Sequence, residues 1–201
     1  MPDATTHDRL ILEGIVTTLA ADGSLNVSPM GPLVDRQITQ LTLRPYQTSR
    51  TYQNLKRTGR GVLQVTDDVE LIAQAAIGRL ISPALVARAE ANAIPCAWQP
   101  LILAAACRWF AFRVTSLDDA AERTTIECEV IDQGDIRPFF GFNRAKHAVI
   151  EAAILATRIH LLPPEEIQQE FDRLSILIHK TAGSQEQRAF DLLREYVRKP
   201  R

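Results

Sequence analysis

The stretch VTTLAADGSLNVSPMG, residues Val16–Gly31, predicts a β-hairpin and is the part of the chain that decides the fold. It continues a run over residues 10–19 that is rich in Ile, Val, Leu and Thr, which are residue types that favour a strand. Ala-Asp-Gly-Ser at 21–24 is a turn signal, because glycine accepts the positive φ that tight hairpin turns require. Residues 25–28 then form the returning strand, which we expect to end at Pro29.

Outward from this hairpin, alternating hydrophobic and polar residues predict four more strands, at residues 37–43, 61–65, 106–117 and 124–132. The total is about six strands. They follow one another closely and are antiparallel in character, which indicates a barrel or a sandwich.

Helical patterns alternate with these strands and then replace them. Thr48 or Ser49 can cap a helix that ends near Gly59, and an Asp67 capping box predicts a helix that continues to Leu80. After residue 140 only the 3.6-residue period remains, which predicts three helices. They cover residues 144–160, a segment from Pro163–Pro164 to Gly183, and a segment from a Ser184/Gln187 capping box to Val197. We therefore predict two domains, residues 1–138 and 139–201.

Composition excludes several classes of protein. The 201 residues are 46% hydrophobic and 23% charged with a net charge of −1, which predicts an ordinary globular core and argues against a nucleic-acid binder. The apolar run 101–107 is too short to cross a bilayer, and residues 1–9 lack the apolar core of a signal peptide. The three cysteines are widely spaced, which is typical of buried thiols in a cytoplasmic protein. The histidines do not show the spacing of a metal site.

The segment RPYQTSRTYQNL, Arg44–Leu55, contains the groups that a phosphate requires at the start of a helix. The first turn of a helix offers free N–H groups and the positive end of the helix dipole. Hydroxyls and the planar guanidinium groups of arginine add further donors. The candidates are Arg44, Thr48, Ser49, Arg50 and Thr51. The alternative is an ordinary helix cap followed by a solvated helix, with both arginines in surface ion pairs.

The hairpin carries polar groups that suit a flat heterocyclic ring. Thr17 and Thr18 are adjacent, so they point to opposite faces of a strand, and Asn26 follows the turn. An asparagine amide has both a donor and an acceptor, as the C2=O, N3–H and C4=O edge of an isoalloxazine requires. The alternative is that threonine serves strand propensity and asparagine serves the turn. Together, the two segments indicate a ligand with a planar polar ring and a phosphate, and FMN fits that description.

The order of these motifs resembles the flavin-binding split β-barrel superfamily. The pattern comprises V-T-T, D-G and N-x-x-P-M-G in the hairpin, R-P-Y-x-T-S-x-T-Y-x-N-L in the second segment, and GVLQVTDD at residues 61–68. Within the superfamily the chain is most similar to domain-of-unknown-function family 447. The later stretch GFNRA at residues 141–145 resembles the helical part of that family. The resemblance spans about residues 12–196.

This resemblance implies a homodimer of split barrels with FMN near the dimer interface. It assigns phosphate contacts to Ser49 and Thr51, with Arg44, Thr48 and Arg50 as their neighbours. It assigns ring contacts to Thr17 and Thr18, and Asn26 is the next candidate for a ring contact. Where many relatives have asparagine in the strand after the phosphate helix, this chain has Gln64.

The predicted fold is therefore α+β, a six-stranded antiparallel split β-barrel followed by a three-helix C-terminal region. The leading hypothesis is a cytoplasmic, FMN-dependent oxidoreductase, similar to flavin reductases, that acts on a small molecule or an electron donor. The alternatives are a non-catalytic flavin binder or redox sensor, a binder of a related pterin or deazaflavin, and a scaffold with a vestigial pocket. No residue is identified as a general base or nucleophile, so the catalytic residues are unassigned.

Two further features have more than one interpretation. Arg144, His147, Glu151 and Arg158 share one face of a predicted helix, either as a solvated surface or as a polar wall over a substrate. Trp98, in a loop between two prolines, could stack on a flavin, fill a dimer interface or act as an ordinary hydrophobic anchor.

Overall fold

The computed structural model describes residues 9–80, 85–86 and 100–199. The chain packs as two compact units, which we call the barrel unit and the helical unit. The barrel unit comprises residues 1–66 and 84–138, and the helical unit comprises residues 67–83 and 139–201. Residues 67–80 thus pack with the C-terminal helices although they lie within the N-terminal half of the chain.

An eight-stranded antiparallel sheet forms most of the barrel unit, with the strand order β1-β4-β5-β10-β9-β6-β2-β3. A second sheet of two strands pairs β7 with β8. The strands are β1 Leu10–Ile11, β2 Gly14–Leu19, β3 Leu25–Met30, β4 Leu33–Val34, β5 Gln40–Leu43, β6 Arg60–Val65, β7 Leu85–Val86, β8 Ile102–Leu103, β9 Arg108–Asp118 and β10 Thr125–Asp135.

The predicted α+β class is confirmed, whereas the predicted number of six strands is wrong. The strands β1, β4, β7 and β8 have two residues each, which is too short for a period of two to be recognised in the sequence. The predicted strand at residues 10–19 is two strands, and the strand predicted for 37–43 begins only at Gln40.

Two local features explain the shifted strand ends between residues 29 and 40. Asp35 accepts hydrogen bonds from the backbone N–H groups of Thr39 and Gln40, both at 2.8 Å, and Ile38 has a positive φ of 55°. These bonds hold residues 36–38 in a turn. Pro29 does not end its strand, because β3 lies at the edge of the sheet, where a residue without an N–H is tolerated.

The core of the barrel unit lies on both faces of the central strands. On one face, Val16, Leu63 and Phe110 pack with the helix α1 Arg50–Thr58 through its Leu55. On the other face, Trp109 packs with Val62, Ile102, Ala106 and Ala111. The expectation that Trp109 belongs to the core is confirmed, since 6% of its surface is exposed.

The described residues of the helical unit form four helices, α2 Val69–Ala76, α3 Arg144–Thr157, α4 Pro164–Thr181 and α5 Ser184–Arg198. The predicted capping residues are wrong at two of them. Asp68, rather than Asp67, caps α2 by accepting from the Leu71 N–H at 3.0 Å, and the helix ends before Leu80. At α5 the Glu186 carboxylate accepts from the Gly183 N–H at 2.9 Å, so the cap begins one residue before the predicted one.

Arg144, His147 and Glu151 are exposed on α3 of the helical unit, and Arg158, which caps the end of this helix, is exposed too. Within this unit they form a solvated face. The helices among the described residues are too short or too polar to span a bilayer. Ser82, Cys96 and Trp98 lie outside the described residues.

Candidate functional site

The first turn of α1 is the predicted phosphate site, and Ser49 organises it. Ser49 is the N-cap residue, and its Oγ accepts a hydrogen bond from the Tyr52 N–H at 3.2 Å. The Gln53 N–H bonds to the Ser49 carbonyl oxygen at 3.2 Å. No acidic residue lies in the first turn, so no carboxylate side chain there competes for the positive end of the helix dipole. The predicted cap at Ser49 is therefore confirmed, and the first turn has no acidic side chain that would repel an anion.

The other predicted phosphate residues divide into an exposed group and a buried one. Arg44, Thr48 and Arg50 are exposed and precede or open the helix. Thr51 is buried, with 2% of its surface exposed. The exposed side chains can contact a ligand directly, whereas Thr51 lies beneath them in the interior of the barrel unit.

The predicted hairpin is confirmed and comprises β2 and β3. Gly23 has a φ of 80°, and its N–H bonds to the Ala20 carbonyl at 3.0 Å. Hydrogen bonds from Ser24 hold the pKa of the Asp22 carboxyl below its usual range, and the positive charge of Arg50 lowers it further. Arg50 is the first residue of α1.

A network of amides and hydroxyls joins the hairpin to this helix. Asn26 lies opposite Thr18 in the β2–β3 ladder, and its Nδ2 donates to Thr18 Oγ1 at 3.2 Å and to Thr51 Oγ1 at 3.0 Å. Asn54 Nδ2 donates to the same Thr18 oxygen at 3.0 Å. Three of the predicted residues therefore meet at one point, together with a fourth, Asn54, that was not predicted.

Thr17 lies on the opposite face of β2 and makes different contacts. Its Oγ1 donates to the Leu101 carbonyl oxygen at 3.0 Å and accepts from Gln64 Nε2 at 3.0 Å. Gln64 Oε1 accepts from the Leu103 N–H at 2.6 Å. Thr17 and Gln64 therefore fasten the segment around Leu101 to the sheet, and Thr17 does not join the network on the helix side.

A small open pocket lies beside the hairpin on the barrel unit. Four aliphatic side chains, three threonines and one arginine line it, namely Leu19, Leu25, Val62, Leu101, Thr17, Thr18, Thr58 and Arg60. Such a mixture of aliphatic and hydroxyl-bearing side chains suits part of a flat heterocyclic ring better than a strongly charged group.

The turn between β9 and β10 fixes the position of α1 from its other side. Tyr52 Oη donates to Asp119 Oδ2 at 2.6 Å, and Lys56 Nζ donates to the same oxygen at 2.8 Å. Hydrogen bonds from Lys56 and Tyr52 lower the pKa of the Asp119 carboxyl, and that carboxylate raises the pKa of Lys56. Gln47 Nε2 bonds to the Asp119 carbonyl oxygen at 2.7 Å, so the loop that carries the exposed candidates is also anchored.

Asn54 and Gln64 had no assigned role in the sequence prediction. Asn54 lies three residues after Thr51, so the two share a face of α1. That spacing is the signal that could have identified Asn54 as a partner of Thr51. Gln64 had no comparable signal, because its partners near Leu101 are distant in sequence.

The chain matches family models over most of its length. Residues 12–137 match the N-terminal domain, and residues 143–195 the C-terminal region, of the protein family of unknown function DUF447. The chain therefore belongs to this family, and the resemblance inferred from the motifs is confirmed. No curated protein matches the chain significantly.

Solved structures with the same fold include flavoproteins. The FMN-bound DUF447 protein MM1853 from Methanosarcina mazei is 22% identical and has a TM-score of 0.76, over 92% of this chain and 94% of that one. The flavin reductase HpaC, solved in complex with NADP+, is 18% identical with a TM-score of 0.51, over 65% of this chain and 81% of that one. At these identities the likeness establishes the fold alone.

Proposed function

We propose that this DUF447 protein binds FMN in the barrel unit, with the phosphate at the first turn of α1 and the ring against the β2–β3 hairpin. The observation that carries the proposal is the hydrogen-bonded junction of Asn26 with Thr51, which brings the two predicted half-sites into contact at 3.0 Å. The FMN bound by the related protein MM1853 supports the same ligand.

The donors at the helix start fit a phosphate. Arg44 and Arg50 are exposed and carry guanidinium groups that pair with phosphate oxygens. Thr48 and Ser49 add hydroxyls, buried Thr51 supports the site through its bond with Asn26, and the helix dipole adds its positive end. Thr17 and Thr18 line the pocket beside the hairpin.

The proposed activity is that of a flavin-dependent oxidoreductase that acts on a small molecule. Bound FMN would supply the redox chemistry, while the chain would bind the cofactor, orient it and exclude water from it. The likeness in fold to the flavin reductase HpaC supports this activity. We also propose a cytoplasmic homodimer, from the cysteine pattern and from the family resemblance.

A flavin binder without turnover is the second candidate. It shares the proposed cofactor site and differs from the first candidate only in the absence of turnover.

Titration of the purified protein with FMN and with riboflavin tests the cofactor. Loss of a charge-assisted phosphate contact costs about 1.5–3 kcal/mol, so FMN should bind at least about tenfold more tightly than riboflavin. Equal affinity for FMN and riboflavin would contradict the proposed phosphate site. Steady-state oxidation of a reduced nicotinamide by the FMN-loaded protein then separates an oxidoreductase from a passive binder.

A further inference from the structure

The side-chain amide of Asn26 has one end held by the protein and one end open. Its Nδ2 donates to two hydroxyls, those of Thr18 and Thr51. Its Oδ1 accepts no hydrogen bond from the part of the chain that the structure describes. Within the same part, no side-chain nitrogen or oxygen is both fully buried and unpaired, so this oxygen is accessible to solvent.

Buried groups behind the amide fix its orientation. Thr18 and Thr51 are 3% and 2% exposed, and Thr18 Oγ1 also accepts from Asn54 Nδ2 at 3.0 Å. Asn54 is itself 6% exposed. Because the donor end of Asn26 faces these buried oxygens, its acceptor end faces outward.

The place of this acceptor identifies the group that it can receive. Thr51 is the second residue of α1, so a ligand atom on Asn26 Oδ1 lies beside the first turn and not far along the hairpin. In FMN, the hydroxyl-bearing ribityl chain is next to the phosphate and the ring is at its far end. A phosphate oxygen at neutral pH has few protons to donate, whereas each ribityl hydroxyl has one.

We infer that Asn26 Oδ1 accepts a hydrogen bond from a ribityl hydroxyl and makes the site selective for a polyol linker between ring and phosphate. This inference rests on the proposed FMN function. It moves Asn26 from the ring edge, where the sequence pattern put it, to the linker. Thr18 and Asn54 are positioning residues, since they act on the ligand through Asn26.

The test compares FMN with an analogue in which the ribityl chain is replaced by a pentyl chain with no hydroxyls, while ring and phosphate are unchanged. One hydrogen bond to a neutral hydroxyl predicts about a tenfold preference for FMN in the wild type. Asn26→Leu keeps the side-chain size without the acceptor and should bring the two affinities together. Asn26→Asp keeps an acceptor, and its added charge weakens both phosphorylated ligands alike, so the preference should persist.

Asn54→Leu tests the positioning role, and Thr42→Val is its control. Asn54 touches no ligand in this proposal, yet its replacement should reduce the preference for FMN, because Thr18 and Asn26 lose their support. Thr42→Val removes another buried hydroxyl bond of the barrel unit, to Glu127 Oε2 at 2.9 Å, and should leave the preference unchanged. Melting temperatures of the ligand-free variants show that each one is folded.

The outcomes separate this inference from the proposed function. A wild type that binds FMN no better than riboflavin overturns the phosphate site and this inference with it. A wild type that prefers FMN to riboflavin but binds the pentyl analogue equally well overturns the linker contact alone. Persistence of the tenfold preference in Asn26→Leu does the same.

Discussion

Thr17 and Thr18 are adjacent residues with different tasks, because successive side chains of a strand point to opposite faces. Thr17 bonds to Gln64 and Leu101 within the barrel unit. Thr18 supports Asn26 and Asn54 on the helix side. The family resemblance assigned ring contacts to both threonines, so substitutions at the two positions can be compared directly.

Replacement of each threonine by valine, which has nearly the same shape, separates the two tasks. Thr17→Val should destabilise the protein by about 1 kcal/mol, because it removes the hydrogen bonds of Thr17 to Leu101 and Gln64, and it should not change FMN affinity. Thr18→Val should destabilise it to a similar degree and also weaken FMN. Urea unfolding and FMN titration measure the two effects. A loss of FMN affinity in Thr17→Val with unchanged stability would instead support the ring contact that the family resemblance assigned to Thr17.

A second residue-scale feature is the ion pair of Lys146 with Glu186 in the helical unit. Lys146 Nζ lies 2.9 Å from Glu186 Oε1, and the side chains are 14% and 9% exposed. Lys146 also donates to the Asp67 carbonyl oxygen at 2.7 Å, so it links three parts of this unit. Burial alone would raise the pKa of Glu186, but the bonds from Lys146 and from the backbone hold it below its ordinary value of 4.5.

Glu186→Gln should lower the free energy of unfolding by about 2 kcal/mol at neutral pH, because a hydrogen-bonded ion pair shielded from water is lost. Glu170→Gln is the matched control, since its pair with Arg173 is exposed and should contribute about 0.5 kcal/mol at most. Thermal or urea unfolding of the two variants provides the measurement. Equal effects would contradict a special role for the buried pair.

The same pair predicts a pH dependence. A carboxyl whose pKa is lower in the folded state stabilises the protein above its unfolded pKa, and this stabilisation is lost as the pH falls through the folded pKa. The difference in the free energy of unfolding between wild type and Glu186→Gln should therefore be largest at neutral pH and should shrink as the pH falls below 4.5. A difference that stays constant down to the acid transition would show that the charge of Glu186 does not contribute.

At the scale of elements, α1 combines a structural cap with a proposed anion site. Ser49 Oγ caps the helix through the Tyr52 N–H, so a change at Ser49 affects the fold and the ligand together. Aspartate is as good an N-cap as serine, but its charge repels a phosphate.

Ser49→Asp should therefore keep the stability of the ligand-free protein and weaken FMN, whereas riboflavin binding should not change. Ser49→Ala should instead cost about 1 kcal/mol of stability through the lost cap. Melting curves and parallel titrations with the two flavins test this. Unchanged FMN affinity in Ser49→Asp would place the phosphate elsewhere.

At the scale of the whole molecule, the family resemblance predicts a homodimer. Light scattering of the FMN-loaded protein should give twice the 22.4 kDa of one chain. A monomer at micromolar concentration that still holds FMN would contradict this prediction and confine the whole site to one chain.

Local patterns were sufficient wherever the interactions are short in sequence. The Asp22–Gly23 turn, the Ser49 cap and the 3.6-residue period of α3 depend on neighbours within a few residues, and each is found as predicted. The motif order was also sufficient to identify the family. These features are encoded locally, because capping, turn geometry and helical periodicity require no distant partner.

Only the tertiary structure decided which polar residues meet. The sequence could not assign α2 to the helical unit or detect strands of two residues, because distant packing creates both. It proposed Asn26 for the ring, but the contact with Thr51, which lies 25 positions away in the sequence, brings it to the phosphate helix. Asn54 and Gln64 bond to adjacent threonines on opposite faces of one strand. Residue type shows what a side chain can bond to, and the fold determines which partner comes within 3 Å of it.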